Sequence, residues 1–121
     1  MGEYTREERE EARQIISSII GRCEKIQPKF AQGTPQRALL TNRLNALRTV
    51  QGLMTGENRA DSCTQSELTE ALQPISSIIS KCEKARQKFA EGSIHCARFE
   101  KMIRAMSLAR ALITEERAKR D

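Results

Sequence analysis

The segment "ISSIIGRCEKIQPKFAQGT" (Ile16–Thr34) returns almost unchanged as "ISSIISKCEKARQKFAEGS" (Ile75–Ser93). Aligned without a gap at an offset of 59 residues, 5–57 and 64–116 share 22 identities in 53 positions, and 12 of them fall within 16–33. Chance does not produce such agreement, so the chain is a tandem duplication. Two copies are too few for a solenoid, and 121 residues are the size of one domain.

Each copy begins with a helix-start signal, a capping box in which Thr and Glu stand three residues apart. The boxes are Thr5 with Glu8 and Thr64 with Glu67. An apolar residue then recurs in alternating steps of four and three, which predicts a helix with one buried stripe close to a/d spacing. The stripe consists of Ala12, Ile16, Ile19, Cys23, Ile26 and Phe30 in the first copy and Ala71, Ile75, Ile78, Cys82, Ala85 and Phe89 in the second.

A second helix follows in each copy. Gly33 and Gly92 are predicted to end the first helices, because glycine readily takes the left-handed conformation found past a helix C-terminus. Thr34 followed by Pro35, and Ser93 in the other copy, indicate that a new helix starts at once. The apolar positions of these helices are Leu40, Leu44, Leu47, Val50 and Met54, matched by Phe99, Ile103, Met106, Ala109 and Ile113.

These patterns predict an all-α protein built from two helical hairpins, 1–57 and 64–121, joined by a polar linker, 58–63. One hairpin leaves a long apolar stripe uncovered, whereas two together can close it as a four-helix bundle. The bundle is therefore expected to form a single domain with approximate twofold symmetry.

Four local features qualify this regular picture. Pro28 and Pro74 fall at different places in the two copies, and each is expected to kink its helix. Gly56 is expected to end the second helix of the first copy, and the charged tail after Thr114 is expected to fray.

The composition argues against catalysis, metal binding and membrane insertion. The chain has a single histidine and no phosphate loop or hydrolase motif. Cys23 and Cys82 lie within the apolar stripe and are interpreted as small buried hydrophobes, while the His95-Cys96 step lacks the ligands for zinc. A charged N-terminus and the absence of a long apolar run predict a cytoplasmic protein without a membrane partner. No cofactor is expected.

Two basic stripes run beside the apolar seams of the first helices. The net charge of +5 and the pI near 9.3 permit binding of anions or acidic surfaces. Two explanations stay open: the cations complement the helix dipole and solvate the seam, or they hold phosphate groups. The residues are Ser18, Arg22, Lys25 and Lys29 in the first copy and Ser77, Lys81, Lys84 and Lys88 in the second.

Arg43 is a further candidate binding residue because its direction lies inside the apolar arc of its helix. The equivalent residue of the second copy is Met102, and Arg98 there replaces Leu39. An arginine on an apolar face must extend to solvent, pair with a carboxylate, or hold a ligand. Pairing with a glutamate of the neighbouring helix is the favoured expectation.

The repeated segment followed by "QRALLTNRLNALR" (36–48) resembles short helical-hairpin accessory proteins of bacterial mobile elements, of the conjugative and phage-like kinds. The first copy matches both halves of that pattern, whereas "HCARFEKMIRAM" (95–106) departs from it in the second. The resemblance implies an accessory protein that binds and blocks host machinery, including defence systems. It implies no catalytic residues.

The resulting hypothesis is a non-enzymatic binding protein that docks on a protein or nucleoprotein partner as an inhibitor or regulator. The alternative is an anion binder that holds nucleic acid nonspecifically or sequesters a nucleotide signal through the basic stripes, Arg43 and Arg98. A homodimer is compatible with both.

Overall fold

The computed structural model describes residues 4–55 and 64–120, which form four α-helices and one short 3₁₀ helix. The linker, with Gly56 and Cys63, lies outside the described residues. No helix in the described part of the chain is long and apolar enough to cross a bilayer. The helices are α1 (Arg6–Ile26), α2 (Pro35–Thr55), α3 (Gln65–Arg86) and α4 (Ile94–Arg120), and the 3₁₀ helix spans Gln27–Lys29.

The four helices pack as a four-helix bundle, so the predicted fold class is confirmed. α1 and α3 each pack against both α2 and α4, which leaves α1 and α3 on a diagonal of the bundle. Equivalent helices of the two copies therefore face each other across the core, as a twofold axis along the bundle requires. The symmetry is broken within the hairpins, because α3 and α4 pack far more extensively than α1 and α2.

Polar side chains form hydrogen bonds between α1 and α2, the hairpin that packs less extensively. As residue numbers rise along α1, those of the α2 partners fall, so the two helices are antiparallel. The bridges run from Gln27 Nε2 to Thr41 Oγ1 (2.9 Å), from Arg48 Nη2 to Glu24 Oε2 (2.7 Å) and from Gln51 Nε2 to Ser17 Oγ (3.0 Å).

The predicted helix starts are confirmed. In both capping boxes the Thr hydroxyl accepts from the Glu backbone N–H, and the Glu carboxylate accepts from the Thr backbone N–H. Thr34 Oγ1 accepts from the Arg37 N–H at 3.3 Å, and Ser93 Oγ accepts from the Cys96 N–H at 3.1 Å. These bonds satisfy N–H groups that have no partner within the helix.

The predicted ends of the first helices are wrong by several residues. Gly33 and Gly92 do have left-handed backbones (φ 85° and 83°), but they lie in the turns, because α1 ends at Ile26 and α3 at Arg86. Pro28 does not kink α1 as expected. It lacks the N–H that would bond to the carbonyl of Glu24, and the chain tightens into a 3₁₀ turn.

The other two expectations about helix shape have different outcomes. α3 continues through Pro74 as an α-helix, and a kink there stays a prediction. The tail after Thr114 was expected to fray, but α4 continues to Arg120. Its last turns keep contact with the bundle, since Ile113 is buried and 115–117 are half-buried.

The apolar stripes form the core except near the hairpin turns. Ile16 and Ile75 are completely buried, whereas Ile26 and Phe89, at the turn end of the same stripes, are about two-fifths exposed. Further buried residues lie beside the stripes, because each helix packs against two neighbours and buries a face wider than a/d. They include Ile20, Ala46, Leu68, Ile79, Ala105 and Leu108.

A pair of leucines in α2 tests this placement of the core. Leu47 is 0 % exposed and Leu39 is 66 % exposed. Leu47→Ala is expected to lower the free energy of unfolding by about 2–5 kcal/mol through lost burial and a residual cavity. Leu39→Ala, the same chemical change in the same helix, is expected to stay within about 0.5 kcal/mol. Urea denaturation followed by circular dichroism measures both, and equal losses would contradict the structure.

Candidate functional site

Both basic stripes lead to the end of the bundle where the hairpins turn. Ser18, Arg22 and Lys25 lie on α1 with Lys29 in the 3₁₀ turn, and all four side chains are exposed. In the second copy Lys81, Lys84 and Lys88 are exposed and Ser77 is half-buried. The stripes belong to diagonal helices with the core between them. They therefore lie on different sides of the bundle and do not form one continuous site.

The charge of the protein is concentrated near the turns. Residues 22–43 and 81–102, which we call the turn half, are equivalent segments of the two copies. They contain eleven Lys and Arg and four Glu, a net charge of +7, whereas the whole chain has +5. The rest of the chain is thus slightly acidic, at −2. The described residues outside the turn half carry a net charge of only +1, so the positive charge is concentrated in the turn half.

The cations of the stripes make no ion pair within 4.0 Å in the described part of the chain. The ion pairs found there are Arg48 with Glu24 and Arg13 with Glu10, and both are exposed. Exposed ion pairs of this kind contribute little to stability. The stripe cations are therefore available to a binding partner.

Exposed apolar side chains share the turn half with these cations. Among the described residues, the large hydrophobic side chains that are exposed are Ile26, Leu39, Phe89 and Ile94, at 40, 66, 39 and 76 %. All four lie in the turn half. Phe89 also stacks on His95 at a centroid distance of 4.7 Å, so one of its faces is occupied within the protein. The turn half therefore carries both exposed apolar side chains and a net positive charge.

Arg43 and Arg98 reach different surroundings. Arg98 is exposed, near the start of α4. Arg43 is half-buried, and it has no ion pair in the described part of the chain, so the glutamate partner expected for it is not found. Its guanidinium lies close enough to Cys82 for its positive charge to lower the pKa of that thiol.

Among the described residues, the cysteines Cys23, Cys82 and Cys96 are buried and free. Burial raises the pKa of the Cys82 thiol, and the positive charge of Arg43 opposes that rise. Burial likewise raises the pKa of Cys96, whose Sγ donates to Glu100 Oε1 at 3.5 Å. In the described part of the chain, no three His, Cys, Asp or Glu side chains are grouped so that they could hold a metal ion.

The structure also shows a groove that sequence reasoning missed. It lies between α2 and α3, has a volume of about 820 Å³, and is lined by Asn42, Asn45, Glu67 and Glu70 among other residues. A signal for it was present in the aligned copies, since Lys101 and Arg104 stand where the first copy has the two asparagines. Only the packing of α2 on α3 shows that these positions face the glutamates.

Comparison with known proteins adds nothing to these observations, because the chain matches no protein family, no curated protein and no solved structure.

The cysteines provide a test of the packing around the site. Because the folded-state pKa of Cys82 and Cys96 is raised, their neutral thiols favour the folded state below the unfolded pKa, and this contribution is lost as the pH rises through the folded pKa. At pH 8, iodoacetamide is expected to alkylate both at least about tenfold more slowly in native than in urea-unfolded protein. Site-resolved mass spectrometry measures the rates.

Arg43→Met, which installs the residue found in the second copy, is the matched control. It removes the charge that opposes the rise in the Cys82 pKa, so alkylation at Cys82 is expected to slow further while Cys96 is unchanged. Native rates equal to unfolded rates would contradict the buried placement.

Proposed function

We propose that the protein is a non-enzymatic protein-interaction module that docks a protein partner on its turn half. One observation carries the proposal: all the large exposed hydrophobic side chains of the described residues lie in the half that holds a net charge of +7. Grouped apolar side chains surrounded by polar groups are typical of protein interfaces.

The composition of the turn half specifies the chemistry of the partner. Leu39 and Ile94 can bury apolar area against it, while cations such as Lys25 and Lys84 favour a negatively charged surface. Charge complementarity of this kind mainly raises the association rate, whereas buried apolar anchors lengthen the lifetime of the complex. The proposed partner surface is therefore acidic and carries an apolar contact area.

The resemblance to accessory proteins of mobile elements supplies the proposed role. In that setting the protein acts in the cytoplasm as an inhibitor or regulator of host machinery, by occupying a surface that the host protein needs. A small rigid bundle suits such a role, because binding by preformed helices costs little conformational entropy.

An anion binder is the second candidate, favoured by the exposed stripe cations that have no ion pair in the described part of the chain. The mixed surface favours a protein instead. Contacts to a phosphate backbone need no apolar groups, and Phe89, an aromatic ring near the cations, already stacks on His95.

Affinity capture from a bacterial lysate tests the proposal. Two variants are compared with the natural chain: Lys25→Glu/Lys29→Glu/Lys84→Glu/Lys88→Glu, and Leu39→Ser/Ile94→Ser. Each is expected to lower the amount of a specifically captured protein by about tenfold or more, because one removes charge complementarity and the other the apolar anchors. Capture is quantified by mass spectrometry and repeated with the purified partner.

The matched control changes the net charge equally outside the turn half, as Arg6→Glu/Arg9→Glu/Arg110→Glu/Lys119→Glu, and is expected to retain capture. Loss of capture in this control would show a general charge effect. Nucleic acid is the other possible outcome. The anion binder would be established if nucleic-acid binding falls steeply with salt concentration and is unchanged in Leu39→Ser/Ile94→Ser.

A further inference from the structure

The groove between α2 and α3 has small residues along its floor and polar residues on its walls. Ala46, Gly52 and Ala71 are buried, and the short side chains keep the two helices from filling the space between them. Residues 42 to 52 of α2 line it, a length of about 15 Å at 1.5 Å per residue. The groove is therefore open and elongated, with room for part of another chain.

The duplication gives this groove an internal counterpart between α1 and α4. That cleft is lined by Glu8, Glu11, Ala12, Ile15, Lys101, Arg104 and Ala105, which are equivalent, at the offset of 59, to lining residues of the α2–α3 groove. Its volume is only about 20 Å³. The same backbone arrangement is thus closed on one side of the bundle and open on the other.

Two cationic side chains border the closed cleft where the open groove has asparagines. Lys101 and Arg104 lie with Glu8 and Glu11 around the small cleft. The pKa of Glu8 is held below its usual value first by hydrogen bonds with Thr5 and further by the positive charge of Arg104. Among the described residues, no ion pair within 4.0 Å joins the two cations to the two glutamates. The two carboxylates that border the closed cleft thus have cations beside them on the neighbouring helix.

The open groove keeps the carboxylates and lacks the cations. Glu67 and Glu70 remain, and Glu67 makes the same capping box as Glu8, so the acidic wall is preserved in both copies. Opposite them stand Asn42 and Asn45.

Among the described residues that line the open groove, the one cation is Arg48, and it does not take the place of Lys101 and Arg104. Arg48 donates to Glu24 of α1 at 2.7 Å, so its charge is already matched on the other side of α2. Thr49 in place of Leu108 and Pro74 in place of Ile15 remove further side-chain volume from the open groove.

We propose that the α2–α3 groove binds a basic segment of a partner protein. The segment presents a Lys and an Arg three residues apart, about one helical turn, as Lys101 and Arg104 are on α4. Its cations pair with Glu67 and Glu70, and the amides of Asn42 and Asn45 accept or donate further hydrogen bonds. This site goes beyond the turn half, whose charge has the opposite sign.

Fluorescence anisotropy with a labelled alanine-based helical peptide of about 16 residues tests the site. One peptide carries Lys and Arg three residues apart, and a second carries Gln at both positions. The natural chain is expected to bind the first at least about tenfold more tightly. Glu67→Gln/Glu70→Gln is expected to abolish that preference, and Gln at 67 can still complete the capping box. Equal binding of the two peptides would overturn the proposal.

The duplication supplies a control with the same change of charge. Glu8→Gln/Glu11→Gln alters the equivalent residues of the closed cleft and is expected to leave peptide binding unchanged. Equal losses in the two double variants would show attraction to general negative charge and overturn the site. The turn-half variant Lys25→Glu/Lys29→Glu/Lys84→Glu/Lys88→Glu should keep the preference for the basic peptide, so failure of this site and failure of the proposed function are distinguishable.

Exchanging residues between the copies provides an independent test. Asn42→Lys/Asn45→Arg should fill the groove from within, raise the melting temperature and remove peptide binding. Lys101→Asn/Arg104→Asn should open the second groove and raise the stoichiometry from one peptide to two. If Asn42→Lys/Asn45→Arg binds the basic peptide as tightly as the natural chain does, the proposal is contradicted, even if Lys101→Asn/Arg104→Asn unfolds.

Discussion

The apolar stripe of each helical hairpin cannot be covered by that hairpin alone, and the rest of the structure depends on this constraint. Ile16 and Leu47 of the first copy and their equivalents Ile75 and Met106 are all completely buried in the bundle. Burying such side chains stabilises a fold by roughly 1.5–3 kcal/mol each. An isolated hairpin would leave them in water, so joining two copies in one chain supplies the missing half of the core.

Symmetric burial accounts for part of what the two copies share. Core positions of the two copies have similar surroundings, and Cys23 and Cys82, for example, are buried at equivalent places. Positions outside the core include identical pairs, such as Lys25 with Lys84, and pairs that differ. For example, α4 has Lys101 and Arg104 where α2 has Asn42 and Asn45. The α1–α4 cleft is closed, whereas the α2–α3 groove is open. The differences between the copies thus mark where the two sides of the bundle can act differently.

Two surfaces of opposite character follow from this divergence. The turn half combines a net charge of +7 with exposed apolar side chains, of which Ile26 and Phe89 are at the turn ends of the stripes. The α2–α3 groove carries Glu67 and Glu70 opposite Asn42 and Asn45, and its lining residue Arg48 pairs with Glu24 of α1. We propose that both bind protein, the first an acidic surface and the second a basic segment. A bundle with both surfaces can orient a partner, since the turn half favours acidic groups and the α2–α3 groove favours basic ones.

The sequence by itself determined the helical class, the duplication, the caps and most of the core. Those features are local or periodic: a capping box joins residues three apart, and a buried stripe repeats every three to four residues. Ile26 and Phe89 were assigned to the core by periodicity, yet they are partly exposed, because periodicity does not report how far the covering helices extend. Only the tertiary structure decided that the basic stripes lie on different sides and that Asn42 and Asn45 face Glu67 and Glu70. It also decided that Arg43 acts on Cys82 and has no ion pair among the described residues. Each of these depends on which helices are neighbours and which lie on a diagonal, and that arrangement is set by contacts between residues far apart in the chain.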